Sequence, residues 1–193
     1  DLKLGRTPSR DNPEYWSKGE VPWVSVADLN FGWVRGTKEH VSARADGEVF
    51  HGERVPPGTV LLSFKLSVGK VGILAMPAVH NEAIVSLHLM GGRVDRNFLF
   101  FKLQTIDYSA HLDAYVKGKT LNKRKLQALP LSLPPLAEQR AVGQMLRAVD
   151  DKIAAMENRL QAVDALFRSL LHHLMTGKVR VTDLESLPPQ EEA

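Results

Sequence analysis

A run of basic residues past the middle of the sequence has the composition of a phosphate-binding segment. No Asp or Glu occurs between Asp113 and Glu138. Lysine and arginine neutralise phosphates, Gly118 lets backbone N–H groups approach a ligand, and hydroxyl or amide side chains donate hydrogen bonds. The candidate DNA-binding residues are Lys117, Lys119, Thr120, Asn122, Lys123, Arg124 and Lys125. The composition also suits a solvated basic loop, and both interpretations stay open.

Residue combinations typical of catalytic sites are missing or incomplete. Residues 12–15, Asn-Pro-Glu-Tyr, differ from the Asn-Pro-Pro-Tyr motif of adenine amino-methyltransferases, and no glycine-rich loop follows a strand to hold S-adenosylmethionine, so they predict a turn. Residues 67–70 lack the spacing of a phosphate-binding P-loop and predict a tight turn between strands. His172 and His173 are adjacent and point about 100° apart on a helix, so they cannot chelate one metal ion together. We predict no catalytic residue and no metal site.

Composition and charge narrow the class of protein. The 193 residues include no cysteine, which excludes disulfides and thiolate chemistry and fits a cytoplasmic protein. No apolar run approaches the roughly 18–20 residues that span a bilayer, so no membrane partner is expected. The net charge of +3 is uneven, because residues 1–133 hold 18 Lys and Arg against 13 Asp and Glu, whereas residues 134–193 hold 7 against 9. The excess of cations in the first part is a hint of a polyanionic partner.

The first two-thirds of the chain indicates mixed α and β structure. Short β-branched runs separated by Gly, Pro and Asn predict strands at residues 21–26, 60–64, 71–76 and 83–89. Asp95 is placed to cap a helix through Leu103. Another short helix is expected after Asn122, ending at Pro130. Its N-terminus would add positive potential to the basic segment.

The last third predicts one long helix with an apolar seam. From Leu136 to Met175 there is no proline and a single glycine, and Gly177 follows as a stop signal. Apolar residues recur at alternating spacings of four and three, which is the heptad pattern of a coiled coil. The predicted helix-pairing interface is Val142, Leu146, Val149, Ile153, Met156, Leu160, Val163, Phe167, Leu170 and Leu174. The helix would be roughly 55–60 Å long, so packing against another helix is favoured over a single core helix lying across its own domain.

Several segments resemble the specificity subunits of type I restriction–modification systems. Residues 133–140, Leu-Pro-Pro-Leu-Ala-Glu-Gln-Arg, resemble the hinge that opens the long helix of those subunits, and residues 174–181 resemble the segment that closes it. Further segments are similar to blocks of a target recognition domain, namely residues 5–9, 12–16, 21–24, 58–63, 67–69 and 122–126. The resemblance covers almost the whole chain.

The resemblance implies a role in DNA recognition without catalysis. A full specificity subunit has two recognition domains, each reading half of a split DNA target, held apart by two antiparallel helices. It binds two methyltransferase subunits and then restriction subunits, so S-adenosylmethionine, ATP and Mg are expected in those partners and no cofactor in this chain. With one recognition domain and one helix, the chain is expected to be a half-subunit that pairs with a second copy, or the C-terminal half of a longer chain.

We therefore expect an α+β fold, a mixed α/β target recognition domain followed by one long coiled-coil helix. The expected bounds are residues 1–133 for the DNA target recognition domain, 134–176 for the helix and 177–193 for a short, partly disordered tail. A coiled-coil interaction adaptor without DNA binding stays as the alternative, and a methyltransferase or nuclease in its own right is disfavoured by the missing motifs. Helix direction also stays open, because flanking charges favour parallel pairing whereas the resemblance implies antiparallel pairing.

Overall fold

The computed structural model of the chain confirms the α+β class, with small sheets followed by one long helix. It describes residues 1–111, 113–115, 118–121 and 123–180, without side-chain detail for residues 110–120 and Lys123. Two compact units divide the chain, Asp1–Leu146 and Arg147–Ala193, and the long helix begins within the first. No helix within the described ranges combines the length and the apolarity needed to cross a bilayer.

Ten strands and four α-helices make up the described part of the chain. In chain order they are β1 Leu2–Leu4, β2 Val21–Val24, β3 Gly32–Val34, β4 Glu39–Val41, α1 Ala43–Glu48, β5 Val60–Ser63, β6 Val71–Leu74, β7 Val79–His80, β8 Ile84–Leu87, α2 Arg96–Gln104, β9 Asp113–Tyr115, β10 Gly118–Thr120, α3 Lys123–Gln127 and α4 Leu136–Met175. The four predicted strands are confirmed as β2, β5, β6 and β8, each ending earlier than the β-branched run suggested.

Two of the three sheets in the described residues organise the first unit, and the third is the pair of β9 and β10. The larger sheet has the order β1-β8-β5-β6-β3, and its pairs are antiparallel except for the parallel pair β3 and β6. Strands β5 and β6 are buried along their whole length, which explains why they read as continuous apolar runs rather than alternating ones. The smaller sheet has the order β4-β2-β7. Strands β3, β4 and β7, of two or three residues, are too short to leave a sequence pattern.

Helix α2 covers the larger sheet and is capped as the sequence predicted. The Asp95 carboxylate accepts a hydrogen bond from the backbone N–H of Phe98 at 2.9 Å, which satisfies one of the free donors at the helix start. The buried face of α2, which includes Phe100 and Leu103, packs on Val60 and Leu62 of β5 in the largest apolar cluster. The long helix α4 is attached to the first unit at this same cap.

The start of α4 is locked onto the first unit by one buried glutamine. Gln139 is 1% exposed, and its side chain makes three hydrogen bonds. Its carbonyl oxygen accepts from the Asp95 N–H at 3.0 Å, and its amide donates to the Arg93 and Pro134 carbonyl oxygens at 3.1 and 2.8 Å. Every hydrogen bond of this side chain therefore goes to backbone, which fixes the first turn of α4 against the N-terminus of α2.

A glycine one turn later permits this close approach. A Cβ atom at Gly143 would lie 2.8 Å from both the Asp95 carboxylate oxygen and the Phe98 nitrogen. Distances of that size are not tolerated between a methyl group and backbone, so any larger residue would push α4 away from α2. The single glycine in the helical stretch thus has a packing role.

The far end of α4 also agrees with the sequence pattern. Gly177 has a φ of +68°, a conformation that glycine adopts at little cost, and its N–H donates to the Leu174 carbonyl at 3.2 Å. The helix bounds predicted from the proline-free stretch are confirmed. Residues 181–193 of the predicted tail lie outside the described residues, and the division into domains stays a prediction.

Gln139→Ala is expected to lower the free energy of unfolding by about 3 kcal/mol, because it leaves three partly buried backbone groups without this partner. Urea unfolding at one fixed protein concentration measures this. Gln144→Ala is the matched control, since Gln144 lies on the same helix and is exposed, and it should change stability by less than about 0.5 kcal/mol. Equal effects of the two substitutions would contradict the proposed lock.

Candidate nucleic-acid interface

The described residues of the basic segment form two paired strands and a short helix. Strands β9 and β10 pair antiparallel, with Gly118 opposite Tyr115, so Gly118 lies in a strand where an open loop was one expectation. Helix α3 follows, as predicted, and ends well before Pro130. Leu121 and Leu126 are 1% and 7% exposed and belong to the largest apolar cluster. These two anchors hold the segment on the sheet.

The predicted DNA-binding residues are spread along this segment. Lys119 and Thr120 lie in β10, and Lys123 is the first residue of α3. Arg124 is exposed and Lys125 is partly buried. Lys117 and Asn122 lie outside the described residues. Their contact with DNA stays a prediction.

One backbone hydrogen bond brings a second basic stretch to the first. The N–H of Leu121 donates to the carbonyl oxygen of Phe64 at 2.9 Å, immediately after β5. The turn that follows carries Lys65 and Lys70. No Asp or Glu occurs between Glu53 and Glu82, just as none occurs between Asp113 and Glu138. Two acid-free stretches that are distant in sequence therefore meet at one end of the larger sheet.

The sequence pattern did not single out Lys65 and Lys70, although the stretch that carries them shares one feature with the predicted segment. The acid-free stretch around them is as long as the one that drew attention to residues 117–125. The stretch around Lys65 and Lys70 holds fewer cations, however, and its apolar runs predict buried strands. Only the pairing of β5 with β6 turns these two lysines into a compact basic turn next to the predicted segment.

A buried tyrosine supports this turn from below. The ring of Tyr108 packs on Gly69, where a Cβ atom would lie only 2.9 Å from it, and Gly69 has a φ of +92°. The Tyr108 hydroxyl donates to the Leu103 carbonyl at 2.8 Å. Burial raises the pKa of Tyr108 well above its usual value, so it stays a neutral hydrogen-bond donor. The turn is consequently held in one place relative to α2.

The Asn-Pro-Glu-Tyr segment forms a structural turn, as predicted. It is a single 3-10 turn, Pro13–Tyr15, whose Asn12 side chain accepts from the Glu14 N–H at 3.1 Å. Directly beside it, the Arg10 guanidinium lies 3.7 Å from the centre of the Trp16 ring and pairs with Glu39 at 2.5 and 3.0 Å. The hydrogen bond from Arg10 lowers the pKa of Glu39. These contacts stabilise the loop.

The histidines do not gather into a site. Among the described residues, no group of three His, Asp or Glu side chains is placed to hold a metal ion. His80 is 3% exposed, and burial lowers its pKa to about 4, so it is neutral at physiological pH. It lies beside Gly5, where a Cβ atom would clash with its ring and carbonyl. Its role is packing between the first loop and β7.

The seam of α4 presents a continuous apolar stripe. Of its ten predicted residues, Val142 is partly buried and the nine from Leu146 to Leu174 are 36–70% exposed. Scattered apolar residues on a surface are ordinary, whereas a stripe at regular heptad spacing indicates a surface that packs against another helix. Asp150 and Asp164, which flank the seam, each pair within the helix, with Arg147 at 2.8 Å and Arg168 at 2.9 Å.

Comparisons with known proteins give one consistent result. The family model for the type I restriction modification DNA specificity domain matches residues 1–165. The MjaIX type I restriction enzyme specificity subunit of Methanocaldococcus jannaschii is 27% identical over 159 residues, which are 77% of this chain and 35% of that protein. The putative MjaX specificity subunit of the same organism is 28% identical over 123 residues, covering 63% and 29%.

Solved structures agree at the level of the fold. The HsdS subunit of Thermoanaerobacter tengcongensis superposes with a TM-score of 0.59 at 19% identity, over 90% of this chain and 41% of that one. The chain spans about a third of the length of the curated relatives it matches. Similarity of this kind supports the arrangement of elements described above.

The basic cluster formed by the two acid-free stretches generates a measurable expectation for duplex DNA. Arg124→Ala and Lys65→Ala should each weaken binding to all duplex sequences alike and reduce the slope of log affinity against log salt by about one, because each would remove one expected phosphate contact. Lys38→Ala is the control, since Lys38 is exposed beyond the far end of β3. Salt titrations of binding by the assembled complex measure the slopes. An unchanged slope for both variants would place the DNA elsewhere.

Proposed function

The chain belongs to the family of type I restriction modification DNA specificity domains, and we propose that it reads a specific duplex DNA sequence for a methyltransferase–endonuclease assembly. The observation that carries this proposal beyond family membership is the hydrogen bond between Leu121 and Phe64. It joins two acid-free basic stretches into one surface at one end of the larger sheet. Lysine and arginine side chains brought together in this way supply the charge that a phosphate backbone attracts.

The two parts of the chain divide the work in this proposal. The first unit supplies the DNA contacts, and α4 supplies the attachment to other helices. Charge on the first unit drives association with any duplex, while base contacts from the loops supply sequence preference. The lock at Gln139 then ensures that the helix start and the DNA surface move as one body, because both are tied to α2.

Pairing of α4 with an antiparallel helix completes the scaffold in this proposal. If fully buried, each apolar seam residue contributes roughly 1.5–3 kcal/mol before entropy costs. Flanking charges would favour parallel pairing, since acids at Asp150 and Asp164 would face basic residues on a partner. Both acids already have an arginine partner in their own helix, so this preference is weakened. The antiparallel arrangement expected from the family resemblance is therefore retained.

Chemistry is proposed to reside in partner subunits of the same assembly. Methyltransferase subunits would supply S-adenosylmethionine chemistry, and restriction subunits would use ATP and Mg. The competing function is a coiled-coil adaptor without DNA binding. The basic end of the sheet favours DNA, because an adaptor that uses only its helix has no need for lysine and arginine residues gathered there.

Co-expression with the methyltransferase subunit that is proposed to bind this chain tests the proposed function. We expect sequence-specific adenine methylation of host DNA, found by methylation-sensitive sequencing, which disappears when the gene for this chain is deleted. Replacing residues 1–133 with those of a relative should change the methylated sequence, while replacing the α4 seam should abolish methylation altogether. Methylation that does not depend on this chain would contradict the proposal.

The direction of helix pairing is tested with cysteines, because the chain has none of its own. For pairing with a second copy, a chain with Val142→Cys alone should not cross-link, since the other copy lies at the far end of the helix. A mixture of Val142→Cys and Leu174→Cys chains should cross-link under mild oxidation. Non-reducing gels measure the product, and efficient dimer formation by Val142→Cys alone would demonstrate parallel pairing.

A further inference from the structure

The turn between β5 and β6 presents a leucine in a strained conformation. Leu66 has a φ of +65°, a region that bulky residues rarely adopt, and 74% of its surface is exposed. Without a bound partner, the side chain of Leu66 gains little stabilisation from burial. Such strain persists only where the surrounding structure enforces it, and it concentrates at functional sites.

The surroundings of Leu66 enforce this conformation. The Ser63 hydroxyl donates to the Ser67 carbonyl oxygen and accepts from the Lys70 N–H, the latter at 2.9 Å. The Gly69 N–H donates to the Ser63 carbonyl oxygen at 2.9 Å, and Gly69 packs on the buried Tyr108 ring. Hydrogen bonds across the turn and packing beneath it thus hold the leucine outward. The side chain is presented on a rigid support.

A second exposed apolar residue with the same backbone feature adjoins this turn. Phe31 has a φ of +56° and is 47% exposed. Its N–H donates to the Val71 carbonyl oxygen at 3.0 Å, directly after Lys70. Because β3 and β6 run parallel and β5 runs antiparallel to β6, the loops that carry Phe31 and Leu66 lie at one end of the sheet.

These residues combine the two kinds of contact that sequence-specific DNA binding requires. Lys65 and Lys70 flank the apolar residues and carry the charge that phosphates attract. Apolar side chains of the size of leucine and phenylalanine can enter a base step and partly unstack it. A surface that binds DNA through charge alone does not require two large, exposed apolar side chains on strained backbone.

We propose that Leu66, supported by Phe31, is a base-contacting wedge that enters the DNA at one base step and contributes to sequence preference. This proposal rests on the proposed function, since it presupposes that the first unit binds duplex DNA. The lysines position the backbone, and the apolar pair senses how readily the step between two base pairs opens.

The test uses the complex of the full chain with its methyltransferase subunits, on duplexes that carry the methylated sequence. 2-Aminopurine is placed at successive positions other than the methylated adenine. The parent complex should raise its fluorescence at one base step, and Leu66→Ala should abolish that rise. Leu66→Ala should also weaken binding to the specific duplex by about tenfold or more. Binding to a random duplex and its salt slope should stay unchanged.

Three further variants separate a wedge from other roles. Leu66→Gly removes the side chain and relieves the strain, so its melting temperature should not fall, yet its specific binding should drop as for Leu66→Ala. Leu66→Met should retain most of the preference, because methionine also serves as a wedge. Met90→Ala is the matched control, since Met90 is 75% exposed but follows β8 at the opposite end of the sheet, and it should behave like the parent.

Two outcomes would overturn the proposal. The wedge would be contradicted if Leu66→Ala bound the specific duplex as tightly as the parent does and the random duplex likewise. It would also be contradicted if Leu66→Ala affected only the capture of the methyltransferase subunits, because the turn would then be a protein contact. Failure of the proposed function looks different, because the parent complex itself would then show no preference for the methylated sequence.

Discussion

The attachment of the long helix depends on one buried polar side chain. Gln139 hydrogen-bonds three backbone groups, and Gly143 lets the helix approach the capped start of α2. A buried amide with every partner in place is stabilising and specific, whereas a misplaced one would leave several groups unsatisfied. The first turns of the helix therefore have one energetically acceptable arrangement within the first unit. Any partner bound to its first turns is placed relative to α2 and to the sheet beneath it.

The proposed DNA surface likewise depends on a few interactions inside the first unit. Strands β5 and β6 are fully buried, so only the tip of the turn between them is accessible to a ligand. Ser63 and Tyr108 stabilise that tip from within, through hydrogen bonds and ring packing. Their contribution offsets the strain at Leu66. A rigid turn loses little conformational entropy on binding, which is an advantage for a protein that must distinguish DNA sequences by small differences in free energy.

Much of the fold could be predicted because its signals are local. The 40-residue helix α4 follows from an unbroken heptad pattern and from Gly177, and the cap at Asp95 from the type of residue before a periodic run. The segment 133–140 allowed the family to be identified as well, because its prolines, Gln139 and the long heptad occur together. Strands β3 and β7, with three and two residues, carry too little pattern for any such inference.

The fold class, the long helix with its apolar seam, and a basic segment of unknown placement follow from local patterns along the chain. The hydrogen bond between Leu121 and Phe64, and the position of Phe31 and Leu66 at one end of the sheet, become visible only in the folded protein. The reason is physical. Helix periods and caps arise from residues within a few positions of one another, whereas strand order and the meeting of distant turns depend on which pairings bury the most apolar surface across the whole unit. A run of basic residues in the sequence indicates affinity for an anionic ligand, but the packing of the whole unit determines where on the surface that ligand binds.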